Sequence, residues 1–358
     1  MAINISSLII RKESEPLWIQ QASLPEYEIM ILSLESGAEL VTPPEYVLVA
    51  NYEDKSQNIL ADREEKEMSG QDQIPFFTKK KLEEYFWLIN ERHAIYRKKN
   101  AGRPWPWTTD EILQKNKFCN VFRELDTVTI WIRENWREPY AKHRNLWFAM
   151  CVARQINWPP TLAAIGFPRT WNPVRVADKM HEMKKKGLQV YTGAYMLTGT
   201  MGGDKIDQTV FKILDPLFRD PPNISKTRTL EETAEILKER PGFGRFLSYE
   251  VVTDLRHTRY LQNAPDIMTW ANAGPGAMRG INRLLGLKAK PKQQLSTEGY
   301  LIAMRKLLEL SPSYLADYVP PLELREIEHC LCEFDKYQRI KNGEGKMRSR
   351  YHPPGLVT

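Results

Sequence analysis

From Thr78 onward apolar residues recur at three- and four-residue steps, and this period restricts the fold more than any other feature of the chain. In KKKLEEYFWLINERHAIYRKK the residues Leu82, Tyr85, Phe86, Ile89, His93 and Tyr96 fall on one helical face until Gly102. Thr78 stands where an N-cap belongs, and RPWPW at 103–107 cannot continue a helix. Thr108, with Glu111 three residues on, reads as a capping box that opens a helix through EILQKNKFCNVFREL, and Asp126 reads as the cap of TVTIWIREN. The same period predicts helices over 146–155, 174–186, 208–217, 230–239, 244–256, 277–285, 297–310 and 321–341. Helices joined by short Pro/Gly links, with little strand signal after residue 75, predict a mainly α domain over 77–358.

The first 76 residues are of another kind. Stretches 28–34 and 46–52 are β-prone and bounded by glycine and proline, which predicts a small N-terminal β-containing appendage over 1–52. Residues 53–76 read as an acidic linker: they carry seven acids against Lys55, Arg63 and Lys66. That segment nets −4, so the rest of a chain of net +6 stands at +10 and suits a polyanionic partner. Charges spread over solvated helix faces would give the same sum.

Several classes fall away. The longest apolar runs, such as 146–153, are far below the roughly 20 residues of a bilayer span. The basic residues of MAINISSLIIRKESE follow its apolar stretch, so no secretory signal is read and the expected address is cytoplasm, the host cell's if the gene is phage-borne. Cys119, Cys151, Cys330 and Cys332 form no C-x-x-C, the six histidines are dispersed, and no metal is expected.

Two stretches carry chemistry. In LKERPGFGRFLSYEVVTDLR, Gly242 and Gly244 permit a tight bend between two helices. The second helix then starts with unpaired amides beside Arg245, which is a main-chain phosphate site. Any tight helix-helix turn looks the same. In APDIMTWANAGPGAMRGINRLLG, Asp266 sits in a polar loop, and Gly274-Pro275-Gly276 leads into a helix with Arg279 and Arg283 on one face. That is a second anion cradle, unless Asp266 is a helix cap and the arginines pair with acids.

These motifs, in order, resemble the helix-hairpin-helix DNA glycosylase superfamily, whose members place a P-G-x-G hairpin a little over twenty residues before a catalytic Asp. More closely, FWLINERHAIYRKKNAG, PWTTDEIL, KFCNVFRELDTVTIWI, PGFGRFLSYEVVTDLRHT, WANAGPGAMRGINRL and IEHCLCEFDKYQR resemble the α-glutamyl/putrescinyl thymine pyrophosphorylases, amino acid:DNA transferases of bacteriophage DNA hypermodification. The resemblance spans about 77–351. The chain departs at Phe246, where backbone-cleaving glycosylases carry Lys, which excludes a Schiff base there. It departs again after Asp266, where Met-Thr-Trp replaces the usual His or Tyr.

The resemblance implies double-stranded DNA bearing a 5-hydroxymethyluracil whose exocyclic oxygen has been pyrophosphorylated. The partner substrate is a free amino acid or other amine that replaces the pyrophosphate, with no resident cofactor and room for a divalent cation on the leaving group. Such a base must leave the stack, and Trp270 or Trp105 would serve as the wedge. The leaving group calls for cations and amides, which Gly274, Gly276, Arg279, Arg283 and Lys205 could supply. An ammonium must lose a proton before it attacks, and Asp266 is the first candidate base, Asp254 the second. Gly242, Gly244 and Arg245 would grip DNA, and Arg92, Asn120, Arg123, Asp126, Glu333 and Lys336 lie in further matching motifs, with Arg123 and Asp126 spaced for an ion pair. A base-excising glycosylase and a non-catalytic DNA-binding module are the other readings. The oligomeric state is not legible.

Overall fold

A computed structural model describes residues 76–193, 203–289, 293–344 and 351, with short strands within 9–48. Antiparallel pairs join Ile9–Lys12 to Glu15–Ile19, Ala22–Leu24 to Tyr27–Ile29, and Tyr46–Leu48 to Phe76–Thr78. The rest of the expected appendage and nearly all of the acidic linker lie outside the described residues.

The α-helices are α1 Lys79–Asn100, α2 Glu111–Lys115, α3 Thr127–Ile132, α4 Leu146–Ile156, α5 Pro159–Ile165, α6 Pro173–Lys185, α7 Lys205–Asp207, α8 Asp215–Arg219, α9 Leu230–Lys238, α10 Arg245–Leu255, α11 Pro275–Leu284, α12 Thr297–Tyr314 and α13 Leu324–Lys341. The expected mainly helical class is what the described residues adopt. None of these helices is long and apolar enough to cross a membrane.

Two expectations are corrected at helix ends. The capping oxygen of α2 belongs to Asp110, which accepts from the Leu113 amide at 2.8 Å, while Thr108 accepts from Asp110 itself. The helix stops at Asn116, whose side-chain amide donates to the Ile112 carbonyl, so the segment to residue 122 is loop and only Arg123–Leu125 winds, as a short 3-10 turn. Over 208–217 the ladder is not continuous: Gln208–Leu214 is π-wound ahead of α8, where Pro216 has no amide to donate.

The chain forms two compact units. One comprises residues 1–91, 275–320 and 331–346, the other 92–274, 321–330 and 347–358. In the larger unit α4 is apolar nearly all round (LWFAMCVARQI) and is buried on every side, the pattern of a central helix. It packs against α10, and α10 packs against α9. The bend between α9 and α10 requires glycine twice over. Gly242 has φ of +78°, and a Cβ there would lie 2.4 Å from the Ile213 Cδ1. Phe243 plugs the bend from inside, fully buried.

In the other unit Tyr85 meets Phe334 edge-to-face at 5.5 Å and Phe86 stacks on Tyr314 at 4.9 Å. Gly276 and Gly280, one helical turn apart on α11, face α13. A Cβ at 276 would meet the Cys332 Sγ at 2.8 Å, and one at 280 the Leu331 carbonyl oxygen at 2.4 Å. These glycines set how closely the two helix backbones approach.

Candidate functional site

In the larger unit the expected site residues gather at two places. The first is the α9–α10 bend. Pro241, Gly242, Gly244, Arg245 and Phe246 are all exposed. Gly244 caps α10 without a side-chain oxygen, and the bond its carbonyl accepts comes from Ser248, so α10 opens on exposed main chain. The far side of the bend is fixed, because the Gln155 side-chain amide donates to the Gly242 carbonyl at 3.0 Å. Main chain, helix dipole and the Arg245 guanidinium thus favour an anion at one exposed point.

The second feature is the loop 116–126. Arg92, buried on α1, donates to the Cys119 carbonyl at 2.6 and 3.1 Å and to the Asn120 carbonyl at 2.9 Å. The Asn120 backbone amide donates to the Asp126 carboxylate, and its side chain to that carboxylate and to the Leu125 carbonyl. Arg123 pairs with Glu250 of α10. Tyr249 beside it is buried, its hydroxyl has no hydrogen-bond partner, and its ring meets Trp270 edge-to-face at 5.6 Å. Burial, then the Glu328 charge, pushes that hydroxyl well above the usual tyrosine value. His329 of α13 is held neutral by burial and by Arg123, Arg92 and Arg325. Arg92, Asn120, Arg123 and Asp126, which lie in two separate sequence motifs, therefore converge.

An ionic network lies next to this loop. Arg137 pairs with Glu124, and Arg325 donates to Glu326 at 2.7 Å and to the Thr253 carbonyl at 3.0 Å. His257 Nε2 lies 3.5 Å from Glu124. Burial and Arg325 push His257 down to about 4, against the pull of Glu124. A histidine titrating near 6.5 when unfolded and near 4 when folded binds its proton first in the unfolded chain. Stability should therefore fall as pH drops from 6.5 toward 4, by at most about 3 kcal/mol from this group. Urea midpoints at about pH 7 and about pH 4.5 check this: His257→Gln should lose less stability between them than the parent chain, and equal losses would refute it.

Asp254 is fully buried on α10, its two oxygens held by Arg154 at 2.5 and 2.6 Å. Burial alone would push its carboxyl up, but Arg154, Arg137 and Arg123 hold it below the usual carboxylate value. This corrects its expected role as a base, since no amine can reach it. Asp266 binds the start of a different helix, accepting from the Leu230 and Glu231 amides of α9 at 2.8 and 3.0 Å. It remains half-buried.

The Gly274-Pro275-Gly276 turn does not bring its glycines to one anion. The Gly274 amide donates to Glu328 at 3.3 Å, and Gly276 serves the helix approach described above. Arg279 and Arg283 both donate to the buried Asp335, at 2.8 and 2.9 Å, and Arg283 also pairs with Glu344. The pairing of arginines with acids, left open by the sequence, is the arrangement adopted, and Arg279 is the more exposed of the two. Lys205 lies over the Tyr191 ring at 4.2 Å. Lys336 pairs with Glu333 at 3.1 Å on α13. Trp105 is exposed, whereas Trp270 is half-buried against Tyr249. Glu250, Tyr249, Glu328 and His329 were not singled out by the sequence. All four lie inside or beside the quoted motifs, but nothing in their spacing joins α10 to α13.

Such an arrangement defines a helical domain with an exposed glycine bend and a motif loop clamped by a buried arginine. The family described as "5-hmdU DNA kinase, helical domain" matches residues 79–347, and the chain belongs to it. A 5-hmdU DNA kinase of Bacillus phage SP10 is 27% identical over 289 residues, covering 71% of this chain and 44% of that relative. The chain thus spans less than half the length of the curated relative it matches. No solved structure matches.

Proposed function

We propose that this chain is a DNA-modifying domain that grips duplex DNA through the α9–α10 bend and displaces pyrophosphate from an extruded 5-(pyrophosphoryloxymethyl)uracil with an amine or amino acid. The observation that carries the DNA reading is the exposed start of α10 at the glycine bend, with Gly244 as its cap residue and the Arg245 guanidinium beside it. Family membership favours DNA containing hydroxymethylated uracil, because the SP10 relative is named for that base. The convergence of Arg92, Asn120, Arg123 and Asp126 supports a recognition cluster for the base or the incoming amine, and the motif order supports the helix-hairpin-helix, transferase-like assignment.

A second reading follows from the relative's name: the chain takes part in phosphorylating 5-hydroxymethyluracil. Base excision remains the third reading.

One assay separates them. Duplex DNA with hydroxymethyluracil, either plain with ATP or kinase-activated with single amino acids, is incubated with the full chain and digested for nucleoside mass spectrometry. Displacement yields a nucleoside heavier by the amine, kinase action a phosphorylated one from plain DNA, and excision a missing base. In this mechanism Asp266, the more open of the two candidate carboxylates, takes the ammonium proton. Asp266→Asn should lower turnover about a hundredfold while duplex affinity holds, and full activity in that variant would remove Asp266 from the reaction.

A further inference from the structure

We propose that Cys119, Asp126 and His329 form a binding site for a single zinc-class cation, with one coordination position left for an outside oxygen ligand. The Cys119 Sγ, an Asp126 carboxylate oxygen and a His329 ring nitrogen all lie within 4.8 Å of one another. Bonds of about 2.0–2.3 Å in a tetrahedral site place ligand atoms roughly 3.3–3.8 Å apart, so modest side-chain rotation closes the set. One sulfur, one nitrogen and one oxygen are a donor set for borderline-soft zinc and its analogues. Magnesium and calcium prefer oxygen alone.

The surroundings hold these donors in place. Arg92 anchors the Cys119 and Asn120 carbonyls, which fixes the backbone that carries the thiol. Asn120 binds one oxygen of Asp126 through both its backbone and its side-chain amides, the kind of outer support that orients a ligating carboxylate. The Nε2 of His329 is buried and makes no hydrogen bond within the protein. A buried ring nitrogen of this kind is costly, and coordination would satisfy it. Thiolate and carboxylate together match the charge of a dication, and the neighbouring Arg123 is neutralised by Glu250.

Three protein ligands with a fourth position open is how zinc is held where it acts as a Lewis acid. The open position suits water or a phosphate oxygen. The site stands on these residues alone and is independent of the pyrophosphate reading.

The test uses the reduced full-length chain and Co(II) as the probe. Titration should saturate at a single cobalt per chain, with tetrahedral d–d absorption and a sulfur-to-cobalt charge-transfer band, and zinc should displace the cobalt. Cys119→Ser should abolish the charge-transfer band. His329→Gln should keep the band but weaken zinc at least tenfold in competition with a chromophoric chelator. Absence of the band in the parent chain, or a band unchanged in Cys119→Ser, overturns the proposal. If circular dichroism finds Cys119→Ser unfolded, His329→Gln decides: unaltered zinc affinity overturns it.

Discussion

Asp254→Asn should destabilise the chain by about 3–5 kcal/mol, seen as a lowered urea midpoint. The substitution is nearly isosteric, so the loss would not come from packing. It takes the carboxylate charge away from the Arg154 guanidinium, only 1% exposed, in the middle of the apolar cluster around α4. Arg154 would keep the Thr129 hydroxyl at 3.1 Å and the Asn157 side-chain oxygen at 3.3 Å, neither of which carries a charge. Arg154→Met should cost less, because Asp254 retains Arg137 at 3.8 Å. The double variant Arg154→Met/Asp254→Leu should recover most of the loss, since a buried pair replaced by apolar groups is close to neutral. Recovery would identify the pair as a fold-specifying element with little net stability of its own. A double variant as unstable as Asp254→Asn would refute that account.

The α9–α10 bend was legible in the sequence because it rests on local rules: an apolar period on either side and glycine where a left-handed turn is needed. Arg154 was not, because it lies in the apolar run of α4, and its partner is a hundred residues away on α10. Asp254 was read as a chemical group for the same reason, since a lone acid on a helix shows nothing of what lies opposite it. Thr108 and Asp110 are both good caps, and which of them caps α2 depends on which residue begins the turn. Asp266 was read as either base or cap, and the helix it caps, α9, starts 36 residues earlier. The motif residues Arg92, Asn120 and Asp126 were visible as types. Their convergence with His329 required α13 to return to the loop, which no spacing predicts.

The small residues of α11 show the same limit and lead to the second large effect. Gly276 stands in the expected anion-binding turn and Gly280 in the helix that follows it, yet both lie against α13. The contact at 280 is with backbone: a Cβ would stand 2.4 Å from the Leu331 carbonyl oxygen and 3.0 Å from its carbon. No rotamer change relieves this, so the helices must separate, and the buried Ile281 and Leu284 lose contacts with them. Helical glycine is otherwise inferior to alanine by about 1 kcal/mol, so propensity predicts that Gly280→Ala stabilises. The close approach predicts the opposite. Gly280→Ala should cost about 2 kcal/mol and Gly280→Val about 3–4 kcal/mol, the second adding a branched side chain to the same gap. Gly286, whose φ is +72° with open space where a Cβ would stand, is the control: Gly286→Ala should cost only the left-handed strain of about 1 kcal/mol. If Gly280→Ala raises the urea midpoint, then α11 and α13 are not in the contact described, and the arrangement of Arg279 and Arg283 on Asp335 would have to be redrawn with it.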